Sequence, residues 1–403
     1  MIFWKLGFRN LLRNKKRTIL AGMAVGLGLA AMILMDGFWL GMLDNMVKSV
    51  TTTYIGHAQI HHEKFKATNE SDFFINNSEK VLKAIKKNKN ITAVSPRVLS
   101  IGMISSSQNS MNVQLIGINP KQEKKVSKFH ARLIKGDFLK TDDDIVIGER
   151  LRKKLDVELG DRLVITVSET GSGDIKQELF RLSGVYGIGS KDLDEGVVLV
   201  QQEKLQKILQ INEVHEIVIM FKDFLNKKEN LVFLTSLKQD DLIVETWEEL
   251  TPQVVAMFEM SDMSFGILGM ILFSLVALGI LNTMFMSLFE RSYEFGVIQA
   301  IGTRKKEIIL IILSESFTLA LISIFIGIVM AAGIGTLLMI YGVDYSGIEF
   351  GEITFTEKIY FIFSVKQFTI YPLITLVFTV MISLYPAWSV IRRNPAQALH
   401  RSL

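Results

Sequence analysis

Four apolar runs interrupt an otherwise mixed chain. Ile19 to Met35 is uncharged over 17 residues, Ser264 to Phe289 is uncharged over 26, and Ile308 to Ile340 is broken only by Glu315. Phe368 to Ile391 is the fourth run, punctuated by Pro372 and Pro386. A helix crossing a ~30 Å hydrocarbon core needs about 20 such residues, because lipid offers no partner to a bare backbone N–H or C=O. Each run therefore predicts a spanning helix. The first is the shortest, and its basic flank with the small pair Gly28 and Ala30 has features of a secretory signal. Its apolar stripe continues past any cut into Gly37, Phe38, Trp39 and Leu40, so an uncleaved anchor is expected.

Between the first and second runs the pattern changes to short apolar or alternating pieces separated by charged turns. Ala58 to Ile60, Val113 to Gly117, Ile145 to Ile147, Leu163 to Val167, Val197 to Val200, Ile217 to Met220 and Leu242 to Val244 read as strands. Ser78-Glu79 opens a helix with Val81, Leu82 and Ile85 on one face, and Glu203 opens another with Leu205, Ile208 and Leu209. The expected fold is an integral membrane α-helical protein with four transmembrane helices and a large mixed α/β domain inserted between the first and second spans. Its spans are placed at 19–44 (with a stalk), 256–289, 308–340 and 368–391, and its α/β domain at 45–255. A short segment, 290–307, joins spans two and three, a loop, 341–367, joins spans three and four, and 1–18 and 392–403 are the ends.

Composition narrows the class. Hydrophobic residues make up 49% of 403 residues, which excludes a disordered chain. Cys is 0, which removes thiol catalysis and thiolate metal sites. The net charge of +4 is small, with no concentrated basic surface for nucleic acid. Its partition carries more than its sum. Residues 1–18, 290–307 and 392–403 hold thirteen basic and three acidic residues, or +10, leaving 32 basic against 38 acidic elsewhere, or −6. Because positive charge resists translocation, both termini and 290–307 are expected in the cytoplasm, with Asp36 to Met263 and 341–367 outside it. The start, Ile2 to Arg13, mixes Trp4 with basic residues and is expected to lie on the inner leaflet as an interfacial helix touching membrane lipid.

Few residues suggest chemistry. His57, His61, His62 and Glu63 form a polar strand face without a third ligand at metal spacing, so no metal is expected. Asp142-Asp143-Asp144 lacks the glycine and spaced Glu of a calcium loop. Gly187-Ile188-Gly189-Ser190-Lys191 lacks the G-x-x-x-x-G-K-[ST] spacing of a phosphate loop. No catalytic residues are assigned, and the chain is not expected to be an enzyme. Gly22 and Gly26, and Gly327, Ala331 and Gly335, form small-residue ridges suited to close helix–helix or protomer contact. Glu315 is an intramembrane carboxylate, expected to make a structural hydrogen bond near the inner face.

The segment Glu290-Arg291-Ser292-Tyr293-Glu294-Phe295-Gly296-Val297-Ile298-Gln299-Ala300-Ile301-Gly302-Thr303-Arg304 is helical in pattern, with Phe295, Ile298 and Ile301 as an apolar stripe and Glu290, Arg291 and Glu294 as polar contacts. A short helix of this kind suits a groove on a cytoplasmic partner. It resembles the E-R-x-x-E-[IF]-G-[VI]-x-[RQ]-A-[IL]-G pattern of FtsX/MacB-type permeases of ABC transporters, also called type VII. The resemblance extends to Arg9 to Thr18, Asn282-Thr283, Glu315, Pro386-Ala387 with Asn394 to Leu399, and Gly148-Glu149-Arg150 with Gly160-Asp161-Arg162-Leu163. It covers almost the whole chain.

The resemblance implies a permease dimer, homomeric or heteromeric, in a bacterial inner membrane, with the α/β domain periplasmic. Two ABC ATPase subunits bind ATP and Mg beneath it, and this chain holds no cofactor. The implied docking residues are Glu290, Arg291, Glu294, Phe295, Gly296, Ile298, Ala300, Gly302 and Arg304. ATP binding would move the periplasmic domains by mechanotransmission. The layout is most similar to the lipoprotein-releasing LolC/LolE branch, in which acyl chains sit between spans one and two. The matching positions here are Met32, Met35, Phe38 and Met42 on one wall and Phe265, Leu268 and Leu272 on the other. In the LolC subtype a Pro-containing loop hooks a periplasmic carrier; the corresponding stretch here, 168–177, is short and has no Pro. MacB-like efflux of peptides, toxins or drugs, and FtsX-like control of periplasmic cell-wall hydrolases, are the alternatives that the same resemblance leaves open.

Overall fold

A computed structural model describes residues 15–68, 70–222, 227–237, 241–345, 349–350, 353–354 and 358–392. The expected interfacial helix at 2–13 and the ending Asn394 to Leu399 lie outside these residues. Lys15–Val50 is α1, continued by a π-helical turn over Thr51–Ile55. Next come β1 (Ala58–His62), α2 (Glu63–Thr68), α3 (Ser78–Lys86), β2 (Ile91–Ser105), β3 (Ser110–Ile118) and α4 (Pro120–Glu123). They are followed by β4 (Leu133–Gly136), β5 (Asp144–Gly148), α5 (Glu149–Leu155), β6 (Arg162–Ser168) and β7 (Ile175–Tyr186). Then come α6 (Lys191–Gly196), β8 (Val197–Gln201), α7 (Gln202–Leu209), β9 (Glu216–Phe221), α8 (Lys227–Ser236), β10 (Leu242–Thr246) and α9 (Trp247–Leu250). The chain ends with α10 (Pro252–Glu290), α11 (Ser292–Ala300), α12 (Lys305–Tyr341), the short β11 (Glu349–Phe350) and β12 (Ile353–Thr354), and α13 (Val365–Ile391). Among the described residues, those within 45–256 with 345, 349–350 and 353–354 form a sheet unit, and those within 15–44, 257–344 and 358–392 form a helical unit.

In the sheet unit, ten strands run in the order β10-β1-β9-β2-β3-β8-β5-β7-β4, and β6 pairs with both β2 and β7. That double pairing closes β2, β3, β8, β5, β7 and β6 into a ring. Strand side chains alternate, so one set from each strand turns inward. Leu115, Leu163, Ile165, Val167, Phe180, Leu182, Val198 and Val200 fill the same apolar cluster. The helices expected from Ser78 and Glu203 are α3 and α7, and they bury Val81, Ile85, Leu205, Ile208 and Leu209. Two long strands go beyond the sequence expectation. β2 runs through Pro96 and Gly102, and β7 begins with Ile175-Lys176-Gln177-Glu178, so neither shows a clean alternation.

The polar features of this unit close turns and strands. Asp144 accepts from the Lys140 and Thr141 N–H groups at 2.8 and 2.7 Å. The Gly-rich turn at 187–191 donates the Ile188 and Gly189 N–H groups to Asp194. His57 Nδ1 accepts from the Phe221 N–H at 2.9 Å, and burial pushes its imidazole down to about 4. His61 Nε2 lies 2.9 Å from Glu245 Oε2, and this bond, with Lys66, holds that carboxyl down to about 2 against the effect of burial. His62 stacks on Phe73. The three imidazoles are thus engaged by separate partners rather than converging on one point.

In the helical unit, α1, α10, α12 and α13 are each long and apolar enough to cross a membrane. The two small-residue ridges meet within the chain. A Cβ on Gly26 would come 2.9 Å from Ser323 O and 3.3 Å from Gly327 N, and one on Gly327 would come 2.8 Å from Gly26 O. Ala331 is buried with Leu29, Ala30 and Ile33. Gly335 packs instead on Phe361 and Phe363, in the segment ahead of α13. That segment also crosses α1, where Ile362 N–H donates to Gly37 O at 3.0 Å and a Cβ on Gly41 would overlap Tyr360 O. Backbone approaches this close need glycine, and van der Waals contact drives association where lipid removes the hydrophobic difference. Gly22 has only ordinary contacts at 3.6 Å, with Ile322 and Ile326. Gly22→Ala is therefore expected to leave the detergent-solubilised melting temperature almost unchanged, whereas Gly26→Leu forces α1 from α12 and lowers it by several degrees. Equal effects of the two would contradict the packing described.

Candidate coupling site

α11 is a nine-residue helix set between two long ones, and its boundaries are written in local chemistry. Arg291 interrupts α10 with φ −103° and ψ 11° and caps α11. At the other end Gly302 takes φ +99°, a conformation that glycine adopts without a Cβ clash. The Thr303 N–H then reaches back to Ile298 O at 3.2 Å, satisfying a terminal carbonyl in the manner of a glycine-terminated helix. The Arg304 N–H donates to Glu307 at 2.9 Å and starts α12.

One face of α11 is packed into the helical unit. Phe295, 2% exposed, and the buried Gly296 sit with Val25, Ile280, Met284, Leu288, Ile308, Ile312 and Ala387. Arg291 lies over the Phe295 ring at 5.0 Å. Its Nε donates to Glu294 at 3.0 Å, and its Nη1 donates to Glu315 at 2.5 Å. Glu315, on α12, is buried. The intramembrane carboxylate is thus more than a hydrogen-bond acceptor: it is the counter-ion of Arg291. The hydrogen bond expected of Glu315 is present, and its donor is Arg291. The expected apolar stripe is corrected. Phe295 and Arg291 face the chain's own helices, so the outward apolar stripe is not Phe295-Ile298-Ile301. It is Tyr293, Val297 and Ile301, all exposed, with Ile298 half-buried at its flank. Both stripes have helical spacing, and only the packing of the neighbours distinguishes them. Glu290, Ala300, Gly302 and Arg304 are exposed, and Glu294 is partly so.

The remaining predicted positions divide. Met32 approaches Gly269 of α10, and Trp39, beside Phe38, packs on Phe265 at 4.9 Å. Met35, Phe38, Met42 and Leu272 are half-buried, and Leu268 is exposed. Trp39 escaped the sequence reading. It is buried, and its Nε1 has no hydrogen-bond partner among the described residues. Asp36 escaped it too: this carboxylate accepts from Gln367 Nε2 at 2.9 Å and Tyr371 Oη at 2.8 Å, binding α1 to α13. Its partners lie 331 and 335 residues away, beyond the reach of any local pattern.

Residues 18–229 match the family model of the MacB-like periplasmic core domain, and 266–395 match that of the FtsX-like permease C-terminal region. The first match alone spans more than half of the chain. The chain belongs to the FtsX/MacB-like family of ABC-transporter permeases. Among curated relatives, this permease is 23% identical over 301 residues to the lipoprotein-releasing system transmembrane protein LolC of Xylella fastidiosa, covering 70% of this chain and 71% of that one. It is 21% identical over 401 residues to LolC of Buchnera aphidicola, covering 94% and 92%. To the macrolide export ATP-binding/permease protein MacB of Bdellovibrio bacteriovorus it is 25% identical over 362 residues, covering 82% of this chain and 53% of that one. The permease is accordingly an inner-membrane protein with a periplasmic domain.

Removing one partner of a buried ion pair leaves an uncompensated charge, at a cost of about 3–5 kcal/mol. Arg291→Met is therefore expected to destabilise the permease more than Arg291→Met combined with Glu315→Met. Thermal unfolding in detergent of the parent, Arg291→Met, Glu315→Met and the double variant measures this, and simple additivity of the two single effects would rule out the pairing.

Proposed function

We propose that this permease couples a cytoplasmic ABC ATPase to its periplasmic domain, and that its cargo is lipoprotein lifted from the inner membrane. The Arg291–Glu315 pair carries the reading. Any displacement imposed on α11 must either drag α12 with it or separate two charges in a low-dielectric setting, and the second is the costlier path. The exposed stripe of Tyr293, Val297 and Ile301 supplies an apolar anchor for the ATPase, with Glu290, Ala300, Gly302 and Arg304 around it. The charge partition supports placing α11 and both termini in the cytoplasm. ATP and Mg belong to the ATPase in this reading, and the permease contributes docking and movement only.

Lipoprotein as cargo is supported by the LolC relatives, which align over most of both chains. In this reading Met32, Met35, Phe38 and Met42 of α1 would meet acyl chains opposite Phe265 and Leu272 of α10, and Met and Phe supply the adaptable surface that chains of varied length require. Leu268, which is exposed, would add to the α10 side, and the unpaired Trp39 Nε1 suits an acyl ester carbonyl. The exposed residues of α10, among them Ile267, Met270, Ile271 and Leu275, are where membrane lipid or a second permease would lie.

A second reading, MacB-like export, is favoured by one observation. The 168–177 loop, where a carrier hook would stand, is tied down: the Gly171 N–H donates to Asp72 at 2.7 Å and the Thr170 N–H to Leu209 O at 3.3 Å. Depletion of the permease separates the two. Lipoproteins of the outer membrane should accumulate in the inner membrane. Normal sorting with altered sensitivity to exported drugs would replace the first reading by the second.

A further inference from the structure

Residues 45–256 of the periplasmic domain are joined to the rest of the chain through α1 and α10, and within the sheet unit these two connections are built differently. α1 ends in the π-helical turn Thr51–Ile55, where wide i→i+5 bonding such as Gly56 N–H to Thr51 O at 2.8 Å replaces the ordinary ladder. The last carbonyls of any helix lack internal partners. Here the domain supplies them. The Lys128 N–H donates to Thr53 O at 3.3 Å, the Arg97 guanidinium to Tyr54 O at 2.9 Å, and the Gln59 amide to Ile55 O at 2.8 Å.

Arg97 is the centre of this socket and is itself 0% exposed. Its Nε and Nη2 donate to the two oxygens of Glu123 at 3.1 and 2.6 Å, and Nη1 donates to Glu216 at 2.8 Å. Ser95 Oγ completes Glu123 at 2.7 Å, and the Tyr54 ring lies 4.5 Å from the guanidinium. Burial alone would raise the Glu123 carboxyl, but the adjoining guanidinium holds it below the usual range. One side chain therefore ties the helix end to β2, α4 and β9 at once. Tyr54 also meets Phe129 edge-on at 6.0 Å. A forked, always-charged donor is the residue suited to such a junction.

Among the described residues, no buried guanidinium of this kind stands at the connection to α10. Trp247 is buried and the Thr246–Glu249 capping box secures α9, so the domain ends firmly there. The Thr251 N–H and Oγ1 both donate to Trp247 O, at 2.9 and 2.7 Å, so α9 holds this residue from its N-terminal side. Its backbone then leaves helical geometry at φ −128° and ψ 62°, and Pro252 restarts the helix as α10 without an N–H to give back. Among the described contacts, the start of α10 is bonded to the Thr251 carbonyl, at 3.0 Å from the Val254 N–H and 3.3 Å from the Val255 N–H.

We propose that the Arg97 socket makes the end of α1 a rigid part of the periplasmic domain, while Thr251 is a joint. Motion then enters the domain through α1 and is accommodated at α10. Arg97 is a positioning residue for this transmission. The inference rests on the reading of the chain as a force-transmitting permease, but its test does not use the ATPase, nucleotide or cargo.

The chain has no cysteine, so single pairs can be introduced and spin-labelled in the full-length protein in nanodiscs. One pair joins Glu203→Cys, on the domain surface, to Lys48→Cys on α1; the other joins Glu203→Cys to Ala256→Cys on α10. The first distance distribution should be narrow and the second broad. Arg97→Met should roughly double the width of the first and leave the second as it was, as expected when one local element is released without global unfolding. Because Arg97→Met strands two buried carboxylates, Arg97→Met with Glu123→Gln and Glu216→Gln is made in parallel, and should broaden the first pair while keeping a cooperative melt. Equal widths in the parent protein, or a first distribution that stays narrow in the folded triple variant, overturns the proposal. A failure of lipoprotein sorting to depend on this chain would leave these widths untouched.

Discussion

A charge removed from water must find its counter-charge, and this constraint fixes one site in each of the two units. In the helical unit Arg291 enters a site shared by Glu294, Glu315 and the Phe295 ring. In the sheet unit Arg97 fills a buried site between Glu123 and Glu216. Neither pair is economical as a source of stability, since well-packed apolar residues often serve as well. What an ion pair gives and an apolar contact does not is resistance to sliding: the geometry of a guanidinium on a carboxylate has few near-equivalent alternatives. A machine that carries displacement along helices needs such fixed points.

Elsewhere the helical unit relies on shape. Gly26 and Gly327 let α1 and α12 touch backbone to backbone, and Gly37 and Gly41 do the same for α1 and the segment before α13. Asp36 adds a polar clasp to α13. α1 is thus held along its length by α12, by residues 360–362 and by α13. α12 in turn carries Glu315, so the helix that receives α11 is also the one that grips α1.

The sequence made some of this legible because the physics is local. Four spans follow from the length that lipid demands, and the Glu290 to Gly302 pattern is specific enough to place the family. The strands that alternate cleanly, such as Leu163 to Val167, were readable; β2, with Pro96 and Gly102 inside it, and β7, with a charged start, were not. Their place depends on β6 pairing with both, which no window of residues reports. The direction in which α11 faces was also hidden, since Phe295 and Val297 satisfy equally good helical stripes and only the cluster around Ile280, Met284 and Ile308 selects Phe295 for burial. Glu315 stood out as an isolated acid, yet its partner is 24 residues away across the α11 turn.

In the proposed coupling, movement passes from α11 to α12 through one ion pair. Its test is the ATP hydrolysed per molecule of the proposed lipoprotein cargo released by the reconstituted transporter, comparing the parent protein with Glu315→Arg and with Arg291→Glu combined with Glu315→Arg. The single reversal places two cations together and should raise that ratio by about tenfold or more, the factor set by each ~1.4 kcal/mol of lost coupling. The double reversal restores opposite charges and should bring the ratio back toward the parent value. A single reversal that assembles with its ATPase and keeps the parent ratio would contradict the account.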